Sequence, residues 1–450
     1  MSARPRIIVR GGVAAAPRRA APAKQRSGPM SGLMGLSVWL MLALMTFPPG
    51  FDYLATIDKQ NIANPVTRGL WLAILALALV TIATNAHETL RVGRNLNGGF
   101  VAFVALATAS VLWSANPSAT LTRDFRIGSM IAVAYAFALV GWHPRRFQNV
   151  VRWGLTLLLG GSIVFVLGWP EIAVHQENQP ELIGAWHGFA MQKNGLGAMA
   201  AVACVMWLQG WLARDVKTPA ALLGGGISLV CLVNSRSSTS LVSMLIATMF
   251  LFTLLRTPPV MRRYMKYYIA LIAVLVVGYT LEVLRIVPGI GVLLTPVAML
   301  TGKDVNFTGR ADIWAIIEDH IKLHPFLGTG YGAYWVGPDP GSDSYIFLSA
   351  MQGFYPGSSH NGYLDVLNDL GIVGLLVLVA YLVIYLRDSV RMVAFDRGQG
   401  ALFLALFLQQ AFANLSEAHW LQGTSLNFVV MTVATFALAR ALDDARRQRR

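Results

Sequence analysis

The sequence predicts an all-α polytopic membrane protein with about twelve transmembrane helices and one large outward loop carrying a surface helix. Three observations predict it. The chain is 55% hydrophobic and only 13% charged over 450 residues, with apolar runs long enough to cross about 30 Å of hydrocarbon. At those lengths a helix satisfies its own backbone in lipid. The charges also alternate along the chain. The tails and even-numbered loops hold 26 of the 36 Lys and Arg but only 6 of the 22 Asp and Glu. The odd-numbered loops and the span edges beside them hold the other 10 basic and 16 acidic residues. The first set is expected on the cytoplasmic side and the second facing outward.

Taken in order, residues 1–30 hold seven Arg and Lys, no acid and many Ala and Pro, and read as a disordered basic cytoplasmic tail. No short apolar core with a small-residue cleavage site precedes residue 31, so a cleaved signal peptide is not expected. Residues 31–285 are expected to hold spans one to nine, near 32–48, 69–85, 98–114, 127–142, 152–169, 194–213, 219–234, 239–256 and 267–285. Arg91/Arg94, Arg145/Arg146/Arg152, Arg214/Lys217 and Arg256/Arg262/Arg263/Lys266 mark successive inner loops. Residues 286–362 form the large outward loop. Within it, Ile313, Ile316, Ile317 and Ile321 recur at helical spacing and predict an amphipathic helix along the membrane surface over 309–323. His324-Pro325 and Gly328, Gly330 and Gly332 end that helix. Spans ten to twelve fall at 363–386, 400–415 and 423–440, within residues 363–440, and 441–450 is a basic cytoplasmic tail. Both termini are then inside.

The net charge of +14 splits into about +20 inside and −6 outside, so it reports topology and anionic lipid rather than nucleic acid. Cys204 and Cys231 fall inside spans and are expected to form neither a disulfide nor a metal site. No P-loop, HExxH or CxxC pattern occurs. Gly328-Thr329-Gly330-Tyr331-Gly332 resembles a potassium-filter strip, but it follows a surface helix rather than a pore helix, and a channel is not the reading.

The outward set contains the cations that could carry chemistry. An Arg held against the charge bias has more use for an anionic ligand than for setting orientation. Arg310 lies in the first turn of the surface helix after Thr308-Gly309, where a cation opposes the helix dipole unless an anion sits between them. Free backbone N–H groups plus a guanidinium suit a phosphate, against the alternative of an arginine snorkelling to a headgroup. Arg236 sits in the tight hydroxyl-rich turn Asn234-Ser235-Arg236-Ser237-Ser238, which could cradle an oxyanion or simply cap span eight. His360, in Ser359-His360-Asn361-Gly362 before span ten, could orient or deprotonate a hydroxyl, or make a plain polar contact. Asp365 and Asp369 lie one and two turns further on. Lys193-Asn194-Gly195 opens span six with His187 six residues earlier, and snorkelling explains that Lys equally well. Glu417 and His419 form a late outer polar cluster that reads as structural. Two arginines and a helix N-terminus suit a diphosphate, apolar spans a lipid tail, and a hydroxyl-rich cleft with a His a sugar acceptor.

Four blocks, 186–197 (WHGFAMQKNGLG), 234–241 (NSRSSTSL), 308–332 (TGRADIWAIIEDHIKLHPFLGTGYG) and 359–375 (SHNGYLDVLNDLGIVGL), together resemble the O-antigen ligase and polymerase superfamily, nearest its exopolysaccharide-production polymerase branch. Met191-Gln192 departs from that branch's pattern, and residues 1–185 are similar only as a generic apolar chain. The resemblance implies a glycosyltransferase-C-like membrane enzyme at the bacterial inner membrane. It implies an undecaprenyl-diphosphate-linked glycan donor, with neither metal nor cofactor, and an inverting transfer on the periplasmic face. By resemblance Arg236 and Arg310 hold the diphosphate and His360 activates or positions the acceptor hydroxyl. Lys193, Asn194, Ser235, Thr308 and Asn361 are the neighbouring substrate-binding candidates. Expected partners are the donor, a glycan or lipid A core acceptor, membrane lipid and export or chain-length machinery, with no nucleic acid. Polymerase and ligase remain open, because they differ only in acceptor. A transporter or flippase is the reading from another class, and it should line several spans with polar groups.

Overall fold

A computed structural model describes residues 65–140, 142–176, 182–190, 192–257, 264, 267 and 310–449. The expected tail 1–30, span 32–48, nearly all of span 267–285, residues 286–309 and the candidate Thr308 lie outside these residues. The described chain is helical, and its helices of ten residues or more are α1 (Pro65–Thr84), α2 (Ala86–Asn95), α3 (Gly98–Ala109), α4 (Pro117–Leu139), α5 (Pro144–Gly168) and α6 (Lys193–Leu212). They continue as α7 (Thr218–Asn234), α8 (Ser238–Arg256), α9 (Arg310–Leu323), α10 (Gly362–Phe395), α11 (Arg397–Ala413) and α12 (Leu426–Arg447). Ten of these coincide with expected spans. Among the described residues, α5, α6, α8, α10 and α12 are long and apolar enough to cross a membrane. The pair α1 and α2 adds a sixth if its 97° bend is one broken span, and α3 and α7 are apolar but shorter.

Helices α6, α11 and α12 form the centre. α6 contacts α5, α7, α8 and α11, while α12 meets α4 and α10. The Ala- and Gly-rich sequence of α6 permits that close approach. A Cβ at Gly197 would fall 2.8 Å from the Ser235 hydroxyl. One expected boundary is corrected. The span placed at 127–142 starts ten residues earlier, where Asn116 caps Ala119 N and Pro117 occupies the first turn, so Arg123, Asp124 and Arg126 are helical rather than in a loop. Arg152, counted with the inner-loop charges, is buried, with its guanidinium 5.3 Å from the Trp207 ring.

Helix α10 is broken at Gly371 (φ 63°), where a Cβ would meet the Phe326 backbone at 2.2 Å. The loop after α9 repairs the break. Ile372 and Val373 N–H donate to the Pro325 and Phe326 carbonyls at 2.9 and 3.2 Å, and Gly330 N–H donates to the Asp369 carbonyl at 2.9 Å. Freed helix groups are thus satisfied by protein rather than lipid. The glycine strip makes this possible, since Gly328, Gly330 and Gly332 all have positive φ and lie against Asp369, Ser114 and Arg123. Helix α9 differs from the expectation of a membrane-surface helix. Ile313, Trp314 and Ile317 pack on Tyr334, Trp335, Phe347 and Leu364, so its apolar face is covered by the protein's own loop and the head of α10.

Candidate functional site

Side-chain contacts sort the loops into two ends of the bundle. At one end Arg91 pairs with Glu88, Asp443 and Asp444, Arg440 pairs with Glu88, and Arg145 meets Asp215 at 3.3 Å. The opposite end gathers 114–116, 169–176, 182–190, 192–193, 234–238, 310–361 and 414–425. There Trp186 N–H donates to the Asn234 carbonyl at 2.9 Å, and Ala115 N–H to the Thr329 carbonyl at 2.8 Å.

Every described sequence candidate lies at this second end. Three converge on Glu417, in the turn between α11 and α12. Arg310 Nη2 donates to Glu417 Oε1 at 2.9 Å, Asn194 Nδ2 donates to the same oxygen at 2.6 Å, and His360 Nδ1 lies 3.4 Å from Oε2. Arg310 and His360 side chains are each 20% exposed and Glu417 18%, so the group is reachable yet shielded. Burial pushes the Glu417 carboxyl up. The hydrogen bond from His360 and the charges of His360, Arg310 and His419 outweigh it and hold the group below its ordinary value. A carboxylate only accepts, so Nδ1 of His360 carries a proton in this contact, and in the neutral imidazole Nε2 is then the nitrogen with a free lone pair.

Local geometry fixes these side chains. His360 sits at φ 52°, a conformation uncommon outside glycine. Trp314 Nε1 of α9 donates to the Ser359 carbonyl at 2.9 Å, and Asp365 Oδ1 accepts from Ser359 N–H at 3.0 Å. Asn361 is buried as the cap of α10, accepting from Tyr363 and Leu364 N–H, while its Nδ2 has no partner among the described residues. Arg310 is the first residue of α9, and the anion its position asks for is supplied by Glu417.

The other candidates lie at the same end of the bundle with partners of their own. Arg236 also has positive φ (50°), and its Nη1 donates to the Ile183 carbonyl at 2.8 Å. Ser235 is committed to the turn, its hydroxyl buried and donating to the Leu232 carbonyl at 2.7 Å. Lys193 is buried beside His175, whose Nε2 accepts from Lys193 N–H at 3.3 Å. Asp365 and Asp369 serve as anchors, Asp365 accepting from Trp335 Nε1 at 3.1 Å and Asp369 from Gly332 N–H at 2.7 Å. His419 is buried with Nδ1 2.9 Å from the Ser425 hydroxyl, and burial lowers it to about 4 against the raising effect of Glu417, so it is neutral near pH 7. Sequence reasoning gave Glu417 a structural role and missed it as the hub. Its outward acidity in a basic chain was the available signal.

Residues 223–379 match the sequence model of the O-antigen ligase family. That stretch contains Arg236, Arg310 and His360, and excludes Asn194 and Glu417. A stretch of 122 residues is 28% identical to the Exopolysaccharide production protein ExoQ of Rhizobium meliloti, covering 25% of this chain and 27% of that protein. The match therefore spans about a quarter of the relative's length. With its helical bundle, the chain is a membrane protein similar to the O-antigen ligase and polymerase superfamily, near its exopolysaccharide branch.

Proposed function

We propose that the protein is a periplasm-facing membrane glycosyltransferase that polymerises or transfers glycan from an undecaprenyl-diphosphate-linked donor. The observation that carries this reading is the single group in which Glu417 holds Arg310, His360 and Asn194 at 2.9, 3.4 and 2.6 Å. His360 Nε2 takes the proton of an acceptor hydroxyl while that oxygen attacks the anomeric carbon. The bond from that carbon to the diphosphate oxygen breaks, the configuration inverts, and the lipid diphosphate departs with the electron pair. Arg310 and Arg236 stabilise its developing charge. The unpartnered Nδ2 of Asn361 and the buried head of Lys193 are further donors for glycan or phosphate oxygens.

Cytoplasmic termini at a bacterial inner membrane follow from the charge bias, with the Glu417 end outward. Contact with export or chain-length machinery belongs to the same reading. The test is a reconstituted assay with a lipid-diphosphate-linked oligosaccharide, with and without lipid A core. A ladder of lengthening lipid-linked products without the core marks a polymerase. One-step, core-dependent transfer marks a ligase. Transbilayer movement of the donor without any transfer would replace both with a flippase.

A further inference from the structure

A second group of cations lines a cleft of about 340 Å³ at the same end of the bundle, bounded by Asn116, Ser118, Thr122, Arg123, Arg126 and Trp335. The sequence builds one wall from the first turns of α4. Asn116 caps the helix, and positions 119, 122, 123 and 126 fall on one face at helical spacing. The opposite wall is the loop that follows the glycine strip. Gly332, at φ 64°, lets that loop lie on the Arg123 stem, where a Cβ would come within 2.1 Å of Arg123 Cδ. Arg123 Nη2 then donates to the Trp335 carbonyl at 2.6 Å.

Asp369, bonded to Gly332 N–H, acts on the Arg123 charge, but among the described residues no carboxylate bonds either guanidinium. Among the described residues Arg126 makes no hydrogen bond and no ion pair, and Arg123 bonds only that carbonyl. Two like charges three residues apart on a helix repel, which an anion between them would relieve. The other polar lining side chains are the Ser118 and Thr122 hydroxyls and the Asn116 amide, beside Ala119 and Val336, which suit a sugar better than a bare phosphate. The cleft is also tied to the catalytic loop. Asp365 Oδ1 accepts from Trp335 Nε1 at 3.1 Å and from Ser359 N–H at 3.0 Å, and His360 is the next residue.

We propose that this cleft is a glycan subsite for a carboxylate-bearing sugar of the acceptor, held by Arg123 and Arg126 through its carboxylate and by Asn116, Ser118 and Thr122 through its hydroxyls. The acceptor assignment rests on the transferase reading, and the binding does not. The same arginines could otherwise hold a lipid headgroup, and the experiment separates the two.

The full chain in phosphatidylcholine nanodiscs is titrated with trigalacturonate and with neutral maltotriose, without donor. Trigalacturonate binds at least tenfold more tightly than maltotriose. Arg126→Ala removes roughly tenfold or more of that affinity, as expected for a lost charge-assisted hydrogen bond, and Arg310→Ala leaves it in place. Equal binding of the two sugars overturns the proposal. So does insensitivity to Arg126→Ala. Displacement of trigalacturonate by phosphatidylglycerol in the discs, with Arg126→Ala abolishing the lipid effect, assigns the cleft to a headgroup instead. Acidic-sugar binding without any transfer sinks the transferase reading alone, and transfer without acidic-sugar binding sinks the cleft alone.

Discussion

The two ends of the bundle use arginine differently. At the basic end Arg91 and Arg440 share three carboxylates, Glu88, Asp443 and Asp444, and are only 14% and 11% exposed. Their charge is spent within the protein. Among the described residues at the opposite end, Arg310, His360 and Asn194 compete for one carboxylate, Arg236 bonds only a backbone carbonyl, and Arg126 has no bonded partner. That end holds more acidic than basic side chains overall, but among the described residues these particular cations have no carboxylate to themselves and can still take an anionic ligand. Neutralised pairs hold helices together, and an excess of donors over acceptors marks a site.

The contrast can be broken at several points. The largest expected effect is at the base. His360→Ala should lower transfer by roughly 10²–10⁴-fold while leaving the thermal melt in detergent unchanged, measured as labelled glycan moved per minute. Full activity would remove His360 from the chemistry. Arg310→Lys should cost roughly 10–10²-fold, because an ammonium cannot reproduce the guanidinium fork, and should lower kcat more than it raises KM.

Acid should act on the site end. The unfolded chain binds a proton at His419 below about pH 6.5, while the folded chain does not until about 4, so stability falls as pH drops through that window. Glu417, also lowered, adds a loss of the same sign as pH falls below its ordinary 4.5. The difference between the wild type and His419→Asn, melted from pH 7 to 4, should show at most roughly 2–3 kcal/mol of this loss. His419→Asn should flatten the slope between about 6.5 and 4. The smallest effect is at the basic end. Asp443→Asn should cost about 1–2 kcal/mol of stability by leaving part of the Arg91 network unpaired, with transfer per folded molecule unchanged. A loss of transfer there would erase the distinction between the ends.

Much of this was legible in the chain and some was not. Arg310, His360 and Arg236 stood out because they oppose the charge alternation, and each lies at the end opposite the paired arginines. Helix α4 was read too short because Arg123, Asp124 and Arg126 look like loop residues, although Asn116-Pro117 is a plain helix start. The break at Gly371 left no trace in hydropathy, because its repair comes from Pro325 and Phe326 in another element. Glu417 escaped for a related reason. It lies 107 residues from Arg310 and 57 from His360, so only the fold shows that they meet.

The most direct test of the shared Glu417 group is a double-mutant cycle on transfer from a lipid-diphosphate-linked donor, using Glu417→Gln, His360→Ala and the pair. If the carboxylate works by orienting the imidazole, Glu417→Gln alone is costly but adds little once His360 is gone, so the pair is no slower than His360→Ala by more than about threefold. Losses that multiply in the double variant would mean that the two residues act independently, and would contradict the account.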